Sequence, residues 1–163
     1  MKFDKSEIKA LQELLSLEKN KKNQTLQKIS NKINSSSSNF TMYIDGAADL
    51  HSKTSGIGGV IYKDGEELFT FSEYLDNATN NEAEYTALIH GLKSLLNLSV
   101  LNVTIYSDSE LVVKQINGEY KVKNDRMKKL YSDAHVLLSK FNLWKIEHVL
   151  RDKNTIADKL ATD

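Results

Sequence analysis

Cysteine and proline are both missing from this chain, and each absence removes something different. Without cysteine there are no disulfides and no thiolate metal sites, and a reducing compartment is permitted. Without proline, boundaries between elements must be read from Gly, Asn, Asp and Ser alone. No apolar run approaches the length of a membrane span, and the opening Met1-Lys2-Phe3-Asp4-Lys5 lacks the apolar stretch of a signal peptide. The expectation is a soluble, cytoplasmic protein with no membrane partner. Net charge is lacking too, with 22 basic against 22 acidic residues. A whole-protein basic field that would announce nucleic acid is therefore excluded, although a local basic patch is not.

What is present is unevenly distributed. Residues 1–39 carry eight Lys against four acids, near +4, whereas residues 40–163 carry fourteen Lys and Arg against eighteen acids, near −4. The length of 163 residues suits one domain with a full core plus an appendage. Within the appendage, Ile8, Leu11 and Leu15, then Leu26, Ile29 and Ile33, recur at helical spacing, which predicts two short amphipathic helices over residues 4–18 and 24–33. The tract Asn34-Ser35-Ser36-Ser37-Ser38-Asn39 reads as a flexible linker. So small a hairpin folds weakly alone, and it docks on its own domain, on a twin chain, or on nucleic acid or another partner.

The body, residues 40–163, opens with Thr41-Met42-Tyr43-Ile44-Asp45-Gly46, a β-prone run ending in a carboxylate. Alternation puts Met42 and Ile44 on one face and Tyr43 and Asp45 on the other, so the acid is expected where the strand leaves the sheet; an ordinary Asp-Gly turn is the alternative. Two further β-rich runs, residues 55–62 and 68–71, flank Lys63-Asp64-Gly65-Glu66 and predict a hairpin. Gly56, Gly58 and Gly59 have no helix after them, so they indicate backbone crowding or a bulge, not a nucleotide-binding loop. A helix over residues 81–96 places Glu84 in line with Ala87, Leu88, Gly91 and Leu95, in the middle of the apolar stripe. A buried charge of that kind calls for a cationic partner. His90, on the opposite face, is expected to be solvated.

A strand over residues 103–108 ends in Asp108, with Ser109 placed to cap a helix that stops at Asn117-Gly118. A longer helix follows over residues 125–141, then a strand over residues 143–149 with Trp144 in the core, then a closing helix over residues 154–161. Acids thus fall at Asp45, Glu84, Asp108 and Asp158, each on a separate element.

With these motifs in this order, the chain resembles the type 1 ribonuclease H family over roughly residues 41–162. The resemblance is carried by Tyr43-Ile44-Asp45-Gly46, by Thr79-Asn80-Asn81-Glu82-Ala83-Glu84, by Tyr106-Ser107-Asp108-Ser109, and by the stretch from Arg151 to Ala161. It implies an α/β fold, a ribonuclease H-like mixed five-stranded sheet of three antiparallel then two parallel strands with helices on both faces, here preceded by the helical hairpin. It implies an endonuclease acting on the RNA strand of RNA/DNA hybrids, with Asp45, Glu84, Asp108 and Asp158 as catalytic residues binding two divalent ions. Hard oxygen ligands suit Mg²⁺ or Mn²⁺, not zinc. It also makes Asn80 and Asn81 candidates for the hybrid's minor groove and Thr79 for a DNA phosphate, roles compatible with capping the helix.

The chain departs from the family's pattern in places. Ala47-Ala48-Asp49-Leu50 replaces the usual Asn-Pro-Gly segment, Glu110 stands where many members carry glutamine, and a short loop with Arg151 replaces the histidine-bearing loop. Arg151 becomes the candidate for phosphate binding or product release. Lys121 and Lys123 become candidates for part of the duty of a missing basic handle. Two other readings stand beside the hybrid nuclease: a DNA nuclease on the same scaffold, and a non-catalytic nucleic-acid or protein adaptor. Ala47, where one exonuclease group carries glutamate, argues against the first, and the full set of four acids against the second.

Overall fold

The computed structural model describes residues 4–15 and 39–162, and the chain divides into two units, Met1–Asn39 and Phe40–Asp163. In the first unit a helix α1 spans Lys5–Leu15. Asp4 starts it, its carboxylate accepting the Glu7 N–H at 2.8 Å while its own N–H donates to Glu7 Oε1 at 3.2 Å, a reciprocal cap that satisfies two otherwise orphaned donors. The expected helix over residues 24–33 and the serine tract lie outside the described residues.

The second unit is built on β1 (Phe40–Asp49), β2 (Thr54–Lys63), β3 (Glu66–Asp76), β4 (Asn102–Ser107) and β5 (Leu143–His148). They form one sheet in the order β3-β2-β1-β4-β5. The first three pair antiparallel, and β1 with β4 and β4 with β5 pair parallel, as the family resemblance implies. Asp64 and Gly65 both have positive φ, 52° and 84°, the two-residue turn whose twist matches a hairpin. The helices are α2 (Asn80–Asn97), α3 (Glu110–Ile116), α4 (Asp125–Leu138) and α5 (Thr155–Thr162), with a tight 3₁₀ turn at Arg151–Lys153 before the last.

Two faces of the sheet receive helices for two different reasons. Met42, Ile44, Ile57, Ile61 and Ile105 are buried with Leu88, Leu92 and Leu95 of α2, and burying each such side chain stabilises by about 1.5–3 kcal/mol. Gly91 brings α2 close, because a Cβ there would meet Met42 Sδ. On the other face α5 lies against bare backbone: side chains at Gly56 or Gly58 would run into the α5 main chain at Ala161. Backbone crowding therefore explains these two glycines, and Gly59 faces the Phe71 ring.

Several expectations need correction. Asp45 is not at a strand end, since β1 runs on to Asp49 and stays paired with β2 down to Asp49↔Thr54. What ends near it is the parallel pairing with β4, whose last partners are Ile44↔Ser107. α4 ends at Leu138, and Phe141 is buried beyond it. Trp144 packs on the edge of the core, half-buried. His90 is not simply solvated: its ring lies 4.5 Å from that of Phe71 and its Nδ1 is 3.6 Å from Glu73. No helix among the described residues is long and apolar enough to cross a membrane.

Candidate metal centre

The register of the parallel pair places the first two acids. Because Ile44 faces Ser107 across β1 and β4, the next residues, Asp45 within β1 and Asp108 just past the end of β4, come side by side where the parallel pairing stops. Ser107 is fully buried and its Oγ accepts the Ser109 N–H at 3.1 Å, while Ser109 Oγ accepts the Val112 N–H at 3.3 Å. Asp108 is thus held between a strand end and a helix cap. Glu84 arrives from α2. Gly46 allows it, since a Cβ there would collide with the main chain of Ala83 and Glu84, and the Gly46 N–H donates to the Glu84 carboxylate. Glycine is needed at this position for close approach, not for a turn.

Asp45, Glu84 and Asp108 each bring a carboxylate oxygen within 4.8 Å of the others, and Asp45 and Glu84 are only 4% exposed. Burial, reinforced by the neighbouring carboxylates, pushes Glu84 up to about 9 and Asp45 to about 7. The expected cation does not reach Glu84: its neighbours are acids, and its Oε2 is buried with no hydrogen-bond partner. An orphaned acceptor in a nest of like charges is costly unless a cation binds there. The residues fit a divalent metal, since three hard oxygen donors from three elements converge and leave positions open.

Asp158 stands apart from this group. It sits one turn into α5, within hydrogen-bonding reach of Asp45, and its Oδ1 is 3.3 Å from Arg151 Nη2. α5 is tied to β1 by Asn154, which is 1% exposed and donates from Nδ2 to the Ile44 carbonyl at 2.8 Å. The sequence reading gave Asn154 no role beyond starting a helix, although an amide at i−4 from an acid, just before a helix, was the available signal.

The remaining candidates lie beside the centre. Thr79 caps α2, accepting the Glu82 N–H at 3.2 Å. Asn80 and Asn81 are exposed in its first turn. Thr79 and Asn81 border a groove of about 430 Å³ whose far side is Lys121, Lys123 and Arg126. Buried Tyr85 donates to Gln115 Oε1 at 2.7 Å, and Gln115 Nε2 donates to the Lys121 carbonyl at 3.4 Å, so an unforeseen core pair holds the lysine-bearing segment. Arg126 was also unforeseen; it pairs with Glu82 at 3.4 Å. Glu110 is paired with Lys114 at 2.7 Å. His148 is exposed, with Nε2 3.2 Å from the Asp108 carbonyl oxygen, and it does not enter the carboxylate cluster.

The sequence profile of a family described as reverse transcriptase-like matches residues 43–163. The bifunctional protein Rv2228c of Mycobacterium tuberculosis is 37% identical over 121 residues, 73% of this chain and 33% of that protein. Ribonuclease HI of Halobacterium salinarum is 33% identical over 122 residues, 74% of this chain and 61% of that one. Its crystal structure superposes with a TM-score of 0.73 at 31% identity, covering 76% of this chain and 95% of that one. LC11-RNase H1, solved in complex with RNA/DNA hybrid, superposes with a TM-score of 0.71 at 35% identity, covering 76% and 94%. The chain spans about a third of the mycobacterial relative and under two thirds of the haloarchaeal one.

Proposed function

The chain belongs to the reverse transcriptase-like family, as a ribonuclease H-like domain, and from that premise we propose that it is an endonuclease hydrolysing the RNA strand of RNA/DNA hybrids. The observation that carries the reading is the convergence of Asp45, Glu84 and Asp108, with an orphaned Glu84 oxygen, on a fold shared with a protein solved bound to such a hybrid.

In this reading Asp45, Glu84, Asp108 and Asp158 hold two divalent ions, Mg²⁺ or Mn²⁺. Ions held there would supply an activated water at neutral pH and would offset charge on the leaving oxygen, chemistry that would leave 3′-hydroxyl and 5′-phosphate ends. The chain's own residues do the rest. Glu84 and Asp45, buried and facing another carboxylate, would present their oxygens to the ions. Asn80 and Asn81 offer amides that both donate to and accept from a 2′-hydroxyl. Thr79, Lys121 and Lys123 line one groove, where the two lysines suit a phosphate backbone, and exposed Arg151 stands near enough to the acids to meet the same substrate.

The test is cleavage of RNA/DNA, RNA/RNA and DNA/DNA duplexes of one sequence with Mg²⁺ and with Mn²⁺. Only the hybrid should be cut, and Asp108→Asn should abolish cutting while the chain stays folded. Full activity in Asp108→Asn, or equal cutting of DNA/DNA, would overturn the proposal.

A further inference from the structure

Resting on the two-ion reading, we infer that Arg151 competes with a divalent ion for Asp158: the guanidinium latches the fourth carboxylate and must let go before that carboxylate can ligate metal. Three observations lead there. Arg151 Nη2 lies 3.3 Å from Asp158 Oδ1. Asp45, Glu84 and Asp108 gather within 4.8 Å of one another, a group that does not include Asp158. Asp158 is nevertheless a neighbour of Asp45, and one of its oxygens is already given to a cation.

The two ends of the site differ in what surrounds them. Inside, Asp45 and Glu84 are buried and lie with Asp108 within 4.8 Å of one another, so a divalent ion there has no guanidinium to displace. At the outer end the Asp158 side chain is 31% exposed and that of Arg151 is 79% exposed, so an ion recruiting Asp158 displaces a guanidinium. The site is therefore unequal by construction, with a tight inner position and a weaker outer one. An ion pair this exposed is worth only ~0.2–1 kcal/mol, a factor of about 1.4 to 5 in affinity. The latch is weak enough to open in ordinary operation.

The arrangement also links metal to substrate. Arg151 sits in the Arg151–Lys153 turn, outside the helix that carries Asp158, so the side chain can turn away without moving α5. A guanidinium binds phosphate in the same forked geometry as carboxylate. A substrate phosphate that draws Arg151 away frees Asp158 for the outer ion, and by linkage the outer ion then strengthens phosphate binding by the same factor.

The experiment is calorimetric titration of Mn²⁺ alone, without nucleic acid, into the full chain and into Arg151→Ala, Arg151→Lys, Asp158→Asn and the double variant Arg151→Ala/Asp158→Asn. Arg151→Ala should tighten the weaker binding event by a factor of about 1.4 to 5, or bring into range one absent from the unmodified chain, and leave the tighter event unchanged. Arg151→Lys should fall between, since a lysine keeps the charge but not the fork. In the Asp158→Asn background, Arg151→Ala should have no effect, because the latch acts only through Asp158. An equal gain in that background would show a through-space charge effect and overturn the latch, as would an unchanged or weakened outer event in Arg151→Ala. Unchanged binding of two ions throughout would sink the latch alone. Failure of every variant, and of the unmodified chain, to bind any Mn²⁺ would sink the two-ion reading along with it.

Discussion

Burying two carboxylates beside a third leaves a signature in how stability depends on pH. Asp45 and Glu84 titrate in the folded chain near 7 and near 9, above their ordinary values of 3.8 and 4.5. Between those limits the folded state holds more protons than the unfolded one, so stability falls as pH rises. The contribution is complete below about pH 4 and is lost as pH climbs through about 7 and then about 9. The melting temperature measured in chelator should accordingly decline across that interval, and Asp45→Asn should decline less. Added Mn²⁺ should reverse most of the decline at pH 8, since it binds the native state in place of the protons. A chelated protein whose melting point rises steadily from pH 5 to pH 9 would contradict this account of the site. Asn154 belongs to the same scale. Asn154→Ala leaves the buried Ile44 carbonyl without its side-chain donor and should cost about 1–3 kcal/mol in denaturant unfolding.

The placement of a helix is decided by what is missing beneath it. α5 carries Asp158 and rests on Gly56 and Gly58 of β2, where added side chains would meet the Ala157–Ala161 main chain. Gly58→Ala should destabilise by ~1–3 kcal/mol through overpacking. It should also displace α5, so that Mn²⁺ gives a smaller rise in melting temperature than in the unmodified chain. Equal Mn²⁺ stabilisation in Gly58→Ala would show that the position of Asp158 does not depend on this contact. At α2 the polar first turn has two duties that one substitution separates. Thr79 carries the cap, whereas Asn81 faces the groove, so Asn81→Ala should weaken hybrid cleavage and leave thermal and Mn²⁺-induced stability intact. A melting point lowered as much as by Thr79→Ala would assign Asn81 to the helix and not to substrate.

At the scale of the whole chain the open matter is residues 1–39, near +4 beside a body near −4. We propose that they form a helical hairpin and linker distinct from the domain over residues 40–163, with apolar stripes covered by protein and not by nucleic acid. Removing residues 1–39 should then lower the melting point or change the sedimenting mass, with the salt dependence of hybrid binding unaltered. A phosphate-binding role predicts the reverse: a salt slope shallower by about 0.7–0.9 for each lost contact, at constant mass and melting point. Comparing the two chains by sedimentation and by binding at several salt concentrations separates these outcomes.

Much of this molecule follows from local pattern alone. Period-2 and helical spacing place all five strands and the helices of residues 40–163, because local pattern is set by backbone preference and by which residues tolerate water; the family resemblance, not the spacing, singles out the four acids as candidate ligands. Tertiary structure decided the remainder. That Asp45 lies mid-strand, and beside Asp108, depends on the Ile44↔Ser107 register, which no window of sequence contains. That Glu84 meets acids and not a cation follows from α2 crossing β1 at Gly46. Asn154 and Ile44 are 110 residues apart in the chain, as are many partners in a sheet fold. Sequence specifies which side chains are charged and which face they share; only packing sets the distances between elements, and the chemistry of a carboxylate cluster is a matter of those distances.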